Sequence, residues 1–455
     1  MKMHFIAIGG SAMHNLALAM HNAGHKVTGS DDEIFEPSKS RLAAKGLLPE
    51  NEGWFPEKIT PDMGAVILGM HARADNPELL KAKELGLPVY SYPEFLYNQT
   101  QNKKRIVVGG SHGKTTVTSM IMHVLKNAGV KFDYMVGSLV QGFDTMVAFS
   151  DNAEIAVFEG DEYLSSPIDL RPKFHLYKPH IAIITGIAWD HVNVFPTFDN
   201  YVEQFRIFTR LTEPNGTLIY SADDENNVKV AGMAREDIHR IPYHAHPHRE
   251  RDGKTFLICG DDEIPVEVFG EHNMQNLMAA LHSCRLAGVD DKEFYRHISS
   301  FTGAAKRLQK IYDDTGLTLF LDFAHSPSKV MATISAVKKQ FPERRLIACF
   351  ELHTFSSMTE TFLPEYAHAT DEADAVCIFV NAHAFGMKRK EPFTAEMVQD
   401  GFKNPRLRVA YTSDELEQWL IQESQNNSVV LMMSSGNFNG MNLNELAGKM
   451  SGKAR

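Results

Sequence analysis

Lys114 and Thr115 follow directly on Gly109-Gly110-Ser111-His112-Gly113, and an ammonium and a hydroxyl behind such a run can handle phosphate. Ahead of it, Ile106, Val107 and Val108 form an apolar, β-branched stretch suited to a buried parallel strand. Behind it, Val117, Met120, Ile121, Val124 and Leu125 recur at helical spacing, and Gly129 stands where the helix should end. Strand, glycine loop and helix together predict a phosphate cradle. Backbone N–H groups from Gly110, Ser111, His112 and Gly113 through Thr116 would face the anion, and Lys114 would reach the outer phosphates. The Thr115 hydroxyl can ligate magnesium. The loop departs from GxxxxGK[ST] in carrying Val108 at the first glycine position. A second apolar strand at 154–158 ends in Glu159-Gly160-Asp161-Glu162-Tyr163. Acids at a strand end beside a phosphate loop suit a magnesium ion or its waters, a solvated acidic turn being the plainer alternative.

These groups need a scaffold, and 455 residues are enough for about three domains. The chain is 43% hydrophobic and 23% charged, an ordinary globular balance. Its net charge of −11 gives no electrostatic case for nucleic acid. Cys259, Cys284, Cys349 and Cys377 are far apart and read as reduced core residues. No apolar run has transmembrane length, and the first residues lead straight into a strand rather than a signal peptide. The expectation is a cytoplasmic protein without membrane insertion.

At the start, residues 4–10 read as a strand entering a glycine turn, 11–23 as a helix and 26–31 as a second strand tipped by Asp31. In this β-α-β unit Asp31 stands where a carboxylate could meet a ribose hydroxyl. A polar linker at 98–104 closes the domain. Residues 239–254 hold four histidines, but prolines and polar neighbours favour a solvated surface connection over a metal site. At 269–280 a turn enters a helix with Asn273 and Asn276 on one face, each able to pair with an adenine edge. Helix capping is the alternative for Asn273. Strands at 317–322, 345–350, 375–380 and 429–433 alternate with helical segments, predicting a further open parallel sheet.

GGSHGKTT resembles the shorter loop, GTHGKTT, of the Mur ligases, the ATP-dependent amide-bond ligases of peptidoglycan synthesis. The resemblance covers essentially the whole chain, with motifs in family order. It implies an α/β fold of three domains: Rossmann-like at 1–104, a P-loop ATPase domain at 105–303, and Rossmann-like again at 304–455. The first glycine turn and GSD strand end are similar to the family's UDP-muramyl site, implying roles for Gly9, Gly10, Ser11, Ser30 and Asp31. His71 of GMHARADNPEL belongs to the same implied site. Asp190-His191 matches the end of N-x-E-x-D-H, whose histidine binds a second magnesium, although Gly186 and Ala188 replace the Asn and Glu. FGEHNMQN resembles the adenine-binding element. FTGAAKRLQ resembles the hinge, implying that Arg307 binds phosphate, and DFAHSP implies that Asp322 and His325 close over ATP.

The implied catalytic set is Lys114, Glu159, His191 and Arg307, with magnesium at Thr115, Glu159 and His191. The implied substrates are ATP, UDP-N-acetylmuramate and an amine. Asp169, Arg171, Lys173 and Phe174 match the D-x-R-x-K-F segment of the peptide-adding branch. Gln204 stands where several members carry a carbamylated lysine. ELHTFSSM, at 351–358, lacks the arginines that other members use for the amine substrate, leaving His353 and Ser356 as candidates, with Lys388, Arg389 and Lys390 farther out. The first expectation for the amine is L-Ala-γ-D-Glu-meso-diaminopimelate, the alternative is L-alanine, and a more distant one is a P-loop nucleotide-binding regulator without ligase activity.

Overall fold

The computed structural model describes residues 1–189, 194–251, 253–424 and 427–452. The chain divides into two compact units: Met1–Ile187 with Asp199–His244 and Met278–Ile298, and Ala188–Phe198 with Ala245–Leu277 and Ser299–Arg455.

The first unit holds two sheets rich in parallel strands. In the N-terminal one the order is Lys26–Ser30, Lys2–Ile6, Ala65–Leu68, Val89–Ser91, all parallel. Ala65–Leu68 is buried throughout, as expected of a strand covered on both faces. The first strand ends at Ile6 and the glycine turn expected within residues 4–10 follows it. Ala7 takes φ +66°, and the amides of Ala7 and Ile8 both donate to the Ser30 carbonyl, which turns the chain into the glycine loop.

The larger sheet runs His239–Tyr243, Thr217–Ser221, Ile181–Ile184, Lys104–Gly109, Ile155–Glu159, Phe132–Met135, Val147–Ala148, with only the last pair antiparallel. The phosphate-loop strand is central, so the loops after its two neighbours can converge on it. Most of residues 239–254 are exposed, as expected, but the stretch is not a plain connection. His239–Tyr243 is the sheet's edge strand, His248–Arg251 opens a hairpin sheet, and Tyr243 and His246 are buried. Pro242 is compatible with this because an edge strand needs no donor on its open side.

Arg105 ties the linker to the central sheet. Its buried guanidinium donates to the carbonyls of Thr100, Gln101, Lys103, Tyr177 and Lys178 and pairs with Glu213 at 2.9 Å.

The second unit carries an antiparallel sheet of His248–Arg251, Lys254–Cys259 and Asp262–Val266, and a six-stranded sheet. The latter runs Gln309–Asp313, Leu317–Asp322, Ser428–Met433, Arg345–Glu351, Ala375–Phe379, Leu407–Ala410. It is mixed, not wholly parallel: Gln309–Asp313 pairs antiparallel with Leu317–Asp322. The Asp314 carboxylate accepts from the amides of Gly316 and Leu317, and so short a turn can only reverse the chain. Cys284, Cys349 and Cys377 are buried free thiols. Among the described residues no helix is long and apolar enough to cross a membrane.

Candidate active site

Gly110 and Gly113 bend the phosphate loop, with φ of +138° and +78°. A side chain at Gly110 would also collide with Thr185, whose Oγ1 lies 2.0 Å from where its Cβ would be. Lys114 opens the helix Lys114–Asn127, and its ammonium donates to the Gly110 carbonyl and to Glu162 Oε2, both at 2.6 Å. Burial alone would lower the Lys114 pKa. The carboxylates of Glu162, Asp161 and Glu159 outweigh that and raise it above the usual lysine value, so the group is a firm cation.

The Thr115 hydroxyl donates to Glu159 Oε1 at 2.9 Å, and the Gly137 amide donates to Glu159 Oε2 at 2.6 Å. Thr115 and Glu159 thus present two hard oxygen donors side by side, which fits a magnesium ion that keeps waters and takes phosphate oxygens. Among the described residues no group of three or more His, Cys, Asp or Glu is arranged to hold a metal. His191, the expected third magnesium residue, lies outside the described residues, as does Asp190. Around this centre Lys173 pairs with Asp161 at 2.6 Å, Asp169 grips Arg171 through both oxygens, and Phe174 is core. Gln204 contributes its backbone carbonyl to His175 and turns its side chain to Asn200.

His112 lies against Gly186. A Cβ at Gly186 would come within 2.2 Å of His112 Cε1, while the Ser111 amide donates to the Gly186 carbonyl at 2.9 Å. Thr185 donates its hydroxyl to the His112 carbonyl. Thr116 is buried in the first helical turn.

In the N-terminal sheet, Asp31 Oδ2 accepts the Gly9 amide at 2.7 Å, fixing the glycine turn to the neighbouring strand end. Burial raises the Asp31 pKa to about 6, the Gly9 amide opposing and the adjacent Asp32 adding to the shift. Ser30 is buried, with the Lys58 ammonium 3.3 Å from its hydroxyl. Gly10 precedes the helix that Ser11 begins, and Ser11 and His71 are exposed.

In the second unit, Asn273 donates to the Phe269 carbonyl at 2.8 Å and receives a long bond, 3.4 Å, from Asn276. Both amides are almost fully buried at the start of the helix Glu271–Leu286. Arg307, Asp322 and His325 form one cluster. The Arg307 guanidinium lies 4.4 Å over the Phe323 ring, and the Phe323 amide donates to the Lys306 carbonyl. Asp322 accepts from the amides of Leu308 and Ala324, each at 2.7 Å, and so holds the hinge where Lys306 and Leu308 have positive φ. His325 Nδ1 is 2.8 Å from the Phe323 carbonyl.

Comparison with known proteins agrees with this construction. Residues 2–104 match the Mur ligase family catalytic domain, 108–284 the Mur ligase middle domain and 306–436 the Mur ligase glutamate ligase domain. A UDP-N-acetylmuramate–L-alanine ligase of Carboxydothermus hydrogenoformans is 30% identical, over 100% of this chain and 97% of its own. The chain belongs to the Mur ligase family. A Streptococcus pyogenes protein of the same name is 32% identical over 85% of this chain and 84% of its own. Two solved structures share the fold. A murein peptide ligase of Psychrobacter arcticus has TM-score 0.68 at 24% identity, covering 99% of this chain and 98% of its own. The UDP-N-acetylmuramate–alanine ligase of Thermotoga maritima has TM-score 0.72 at 21% identity, covering 100% and 98%. The protein is therefore an ATP-dependent amide ligase of the Mur type, which sets aside a nucleotide-binding regulator.

The loop at 351–358 of this Mur ligase is bound from both sides. Glu351 is buried and accepts from the Ser434 hydroxyl, from Asn381 and, at 3.0 Å, from the Phe438 amide. Lys388 donates to the His353 carbonyl, and Lys390 donates to the carbonyls of Phe355 and Met358 while lying 3.9 Å over the Phe355 ring. Two of the three basic residues therefore brace the loop, and Arg389, at φ +55°, is exposed. Ser356 and Ser357 are turned inward, whereas Phe355 is 45% exposed. The His353 pKa is lowered, first by burial and then by Lys388 and Lys306, with Glu351 opposing; at neutral pH its imidazole is an uncharged partner of Ser435.

Sequence reasoning missed the pairing of Glu162 with Lys114 and passed over Tyr201. Glu162 stood in the acidic run after the strand, and its adjacency to two other acids hid its pairing with Lys114. Tyr201 gave no local signal, since its partners Ser111 and Glu162 are distant in sequence.

Proposed function

We propose that this Mur ligase joins L-Ala-γ-D-Glu-meso-diaminopimelate to UDP-N-acetylmuramate in the cytoplasm, using ATP and magnesium. The observation that carries the choice of amine is the loop at 351–358, which has no arginine and presents Phe355, with Arg389 exposed on the segment that braces it. Free L-alanine offers a methyl group and one carboxylate beside the amine, and selecting it calls for a small site with a cation close by. A neutral His353 is no such cation. A long acidic peptide can lay its stem against an aromatic ring and place a carboxylate farther out, within reach of an arginine.

The muramyl carboxylate attacks the γ-phosphate of ATP, giving an acyl phosphate and ADP, because a bare carboxylate is a poor electrophile. The peptide amine then adds to the acyl carbon, and phosphate leaves from the tetrahedral intermediate. Lys114 faces the outer phosphates and offsets the charge that develops there. Thr115 and Glu159, with His191 as the family resemblance implies, would hold magnesium, which when bound would neutralise charge on the phosphate oxygens as a Lewis acid. Arg307 contributes a second phosphate contact, Asn273 and Asn276 take the adenine, and Asp322 and His325 form the nucleotide side of the third domain. Gly9, Gly10, Ser11, Ser30, Asp31 and His71 receive the UDP-muramyl moiety.

L-Alanine is the second reading, favoured by the names of the relatives at 30% and 32% identity. Amide formation with each amine at matched concentration tests the choice. The peptide reading expects a kcat/KM for the tripeptide well above that for L-alanine. The reverse order would establish the alanine reading instead.

A further inference from the structure

Glu162 reaches Lys114 from outside the phosphate loop. It follows the strand Ile155–Glu159, is 1% exposed, and its Oε2 accepts from the Lys114 ammonium at 2.6 Å. Its Oε1 accepts from the Tyr201 hydroxyl at 3.2 Å, and that hydroxyl is 2.8 Å from Ser111 Oγ in the phosphate loop itself. Tyr201 is wholly buried on the helix Phe198–Arg210. Asp161 and Glu159 also act on Lys114 through their charge, but their close contacts run to Lys173 and to Thr115 and Gly137. A buried carboxylate held by a tyrosine and a lysine cannot withdraw into water. A phosphate group that approaches Lys114 must share its ammonium with Glu162.

We propose that Glu162 is a positioning residue that competes with the nucleotide's phosphates for the Lys114 ammonium and thereby limits how tightly the ligase holds its ADP product. Two anions at one ammonium repel each other, and in a poorly solvated site that repulsion is weakly screened. Lys114 assists the chemistry by meeting charge that develops during phosphoryl transfer. A grip that is equally strong on product lowers KM without raising kcat and slows release. A fixed competing carboxylate weakens the grip on product, and Tyr201 keeps that carboxylate in register with the loop through Ser111.

The inference rests on the reading of Lys114 as a phosphate contact. Equilibrium binding of a fluorescent ADP analogue with magnesium, together with ADP release rates, is measured for the wild type, Glu162→Gln, Tyr201→Phe and Lys114→Ala. Glu162→Gln should bind at least threefold tighter and release ADP more slowly, and Tyr201→Phe should shift in the same direction by less. Unchanged or weaker binding by folded Glu162→Gln overturns the proposal. Should that variant not fold, an unchanged affinity in Tyr201→Phe overturns it equally. Weakened binding by Lys114→Ala without tightening in the other two removes this inference alone, whereas undiminished binding by Lys114→Ala removes the phosphate-loop reading as well.

Discussion

The His112 imidazole occupies the space beside Gly186 so closely that a methyl group there would sit 2.2 Å from its Cε1. The phosphate loop and the end of the strand Ile181–Ile184 are thus interlocked through a missing side chain. Gly186→Ala should displace His112, disturb the loop and lower kcat/KM for ATP by about tenfold or more. In a His112→Ala background the same change should cost much less, because the clash is gone. Steady-state kinetics on the two single variants and the double variant measure this coupling, and additive losses would contradict it.

Lys114→Ala should reduce turnover by about a hundredfold or more, the scale for one electrostatic contact to a reacting phosphate. ADP formation in the presence of both UDP-N-acetylmuramate and the amine is the measurement. Near-wild-type turnover would contradict the role assigned to Lys114.

The phosphate-loop unit was legible in the sequence because every signal in it is local: a β-branched run, two glycines forced to positive φ, and a helical apolar period. Residues 239–254 misled because the polar, proline-containing pattern of an edge strand imitates a loop. The antiparallel strand Gln309–Asp313 was missed for a different reason: its direction is set by the Asp314 turn, not by its own composition. At the candidate site, Gly186 was visible as a departure from the family pattern, but the imidazole that fills the gap was not. The Glu162–Lys114 and Tyr201–Ser111 pairings join segments 48 and 90 residues apart. No local pattern reports such contacts.

Asp31 should titrate near pH 6 rather than near its ordinary value of 3.8. Because its folded pKa lies above the unfolded one, its contribution to stability is fully present below about pH 4 and is lost as the pH rises through about 6. Comparing unfolding free energies of the wild type and Asp31→Asn across this range should show the wild type losing stability relative to the variant. A difference that stays constant with pH would contradict the assignment.

Arg105→Ala should destabilise the protein by about 1–3 kcal/mol, chiefly because it leaves the linker carbonyls without their donor, the partly exposed Glu213 carboxylate being open to water. Arg105→Lys should recover little of this, because one ammonium cannot reproduce the spread of guanidinium donors. Urea unfolding of the three proteins checks both statements.

Carboxylate activation by phosphoryl transfer is tested most directly with UDP-N-acetylmuramate carrying oxygen-18 in its muramyl carboxylate. With ATP, magnesium and the tripeptide, the acyl-phosphate route predicts that one labelled oxygen from each turnover appears in the released phosphate. Unlabelled phosphate, with the amide product still formed, would contradict it.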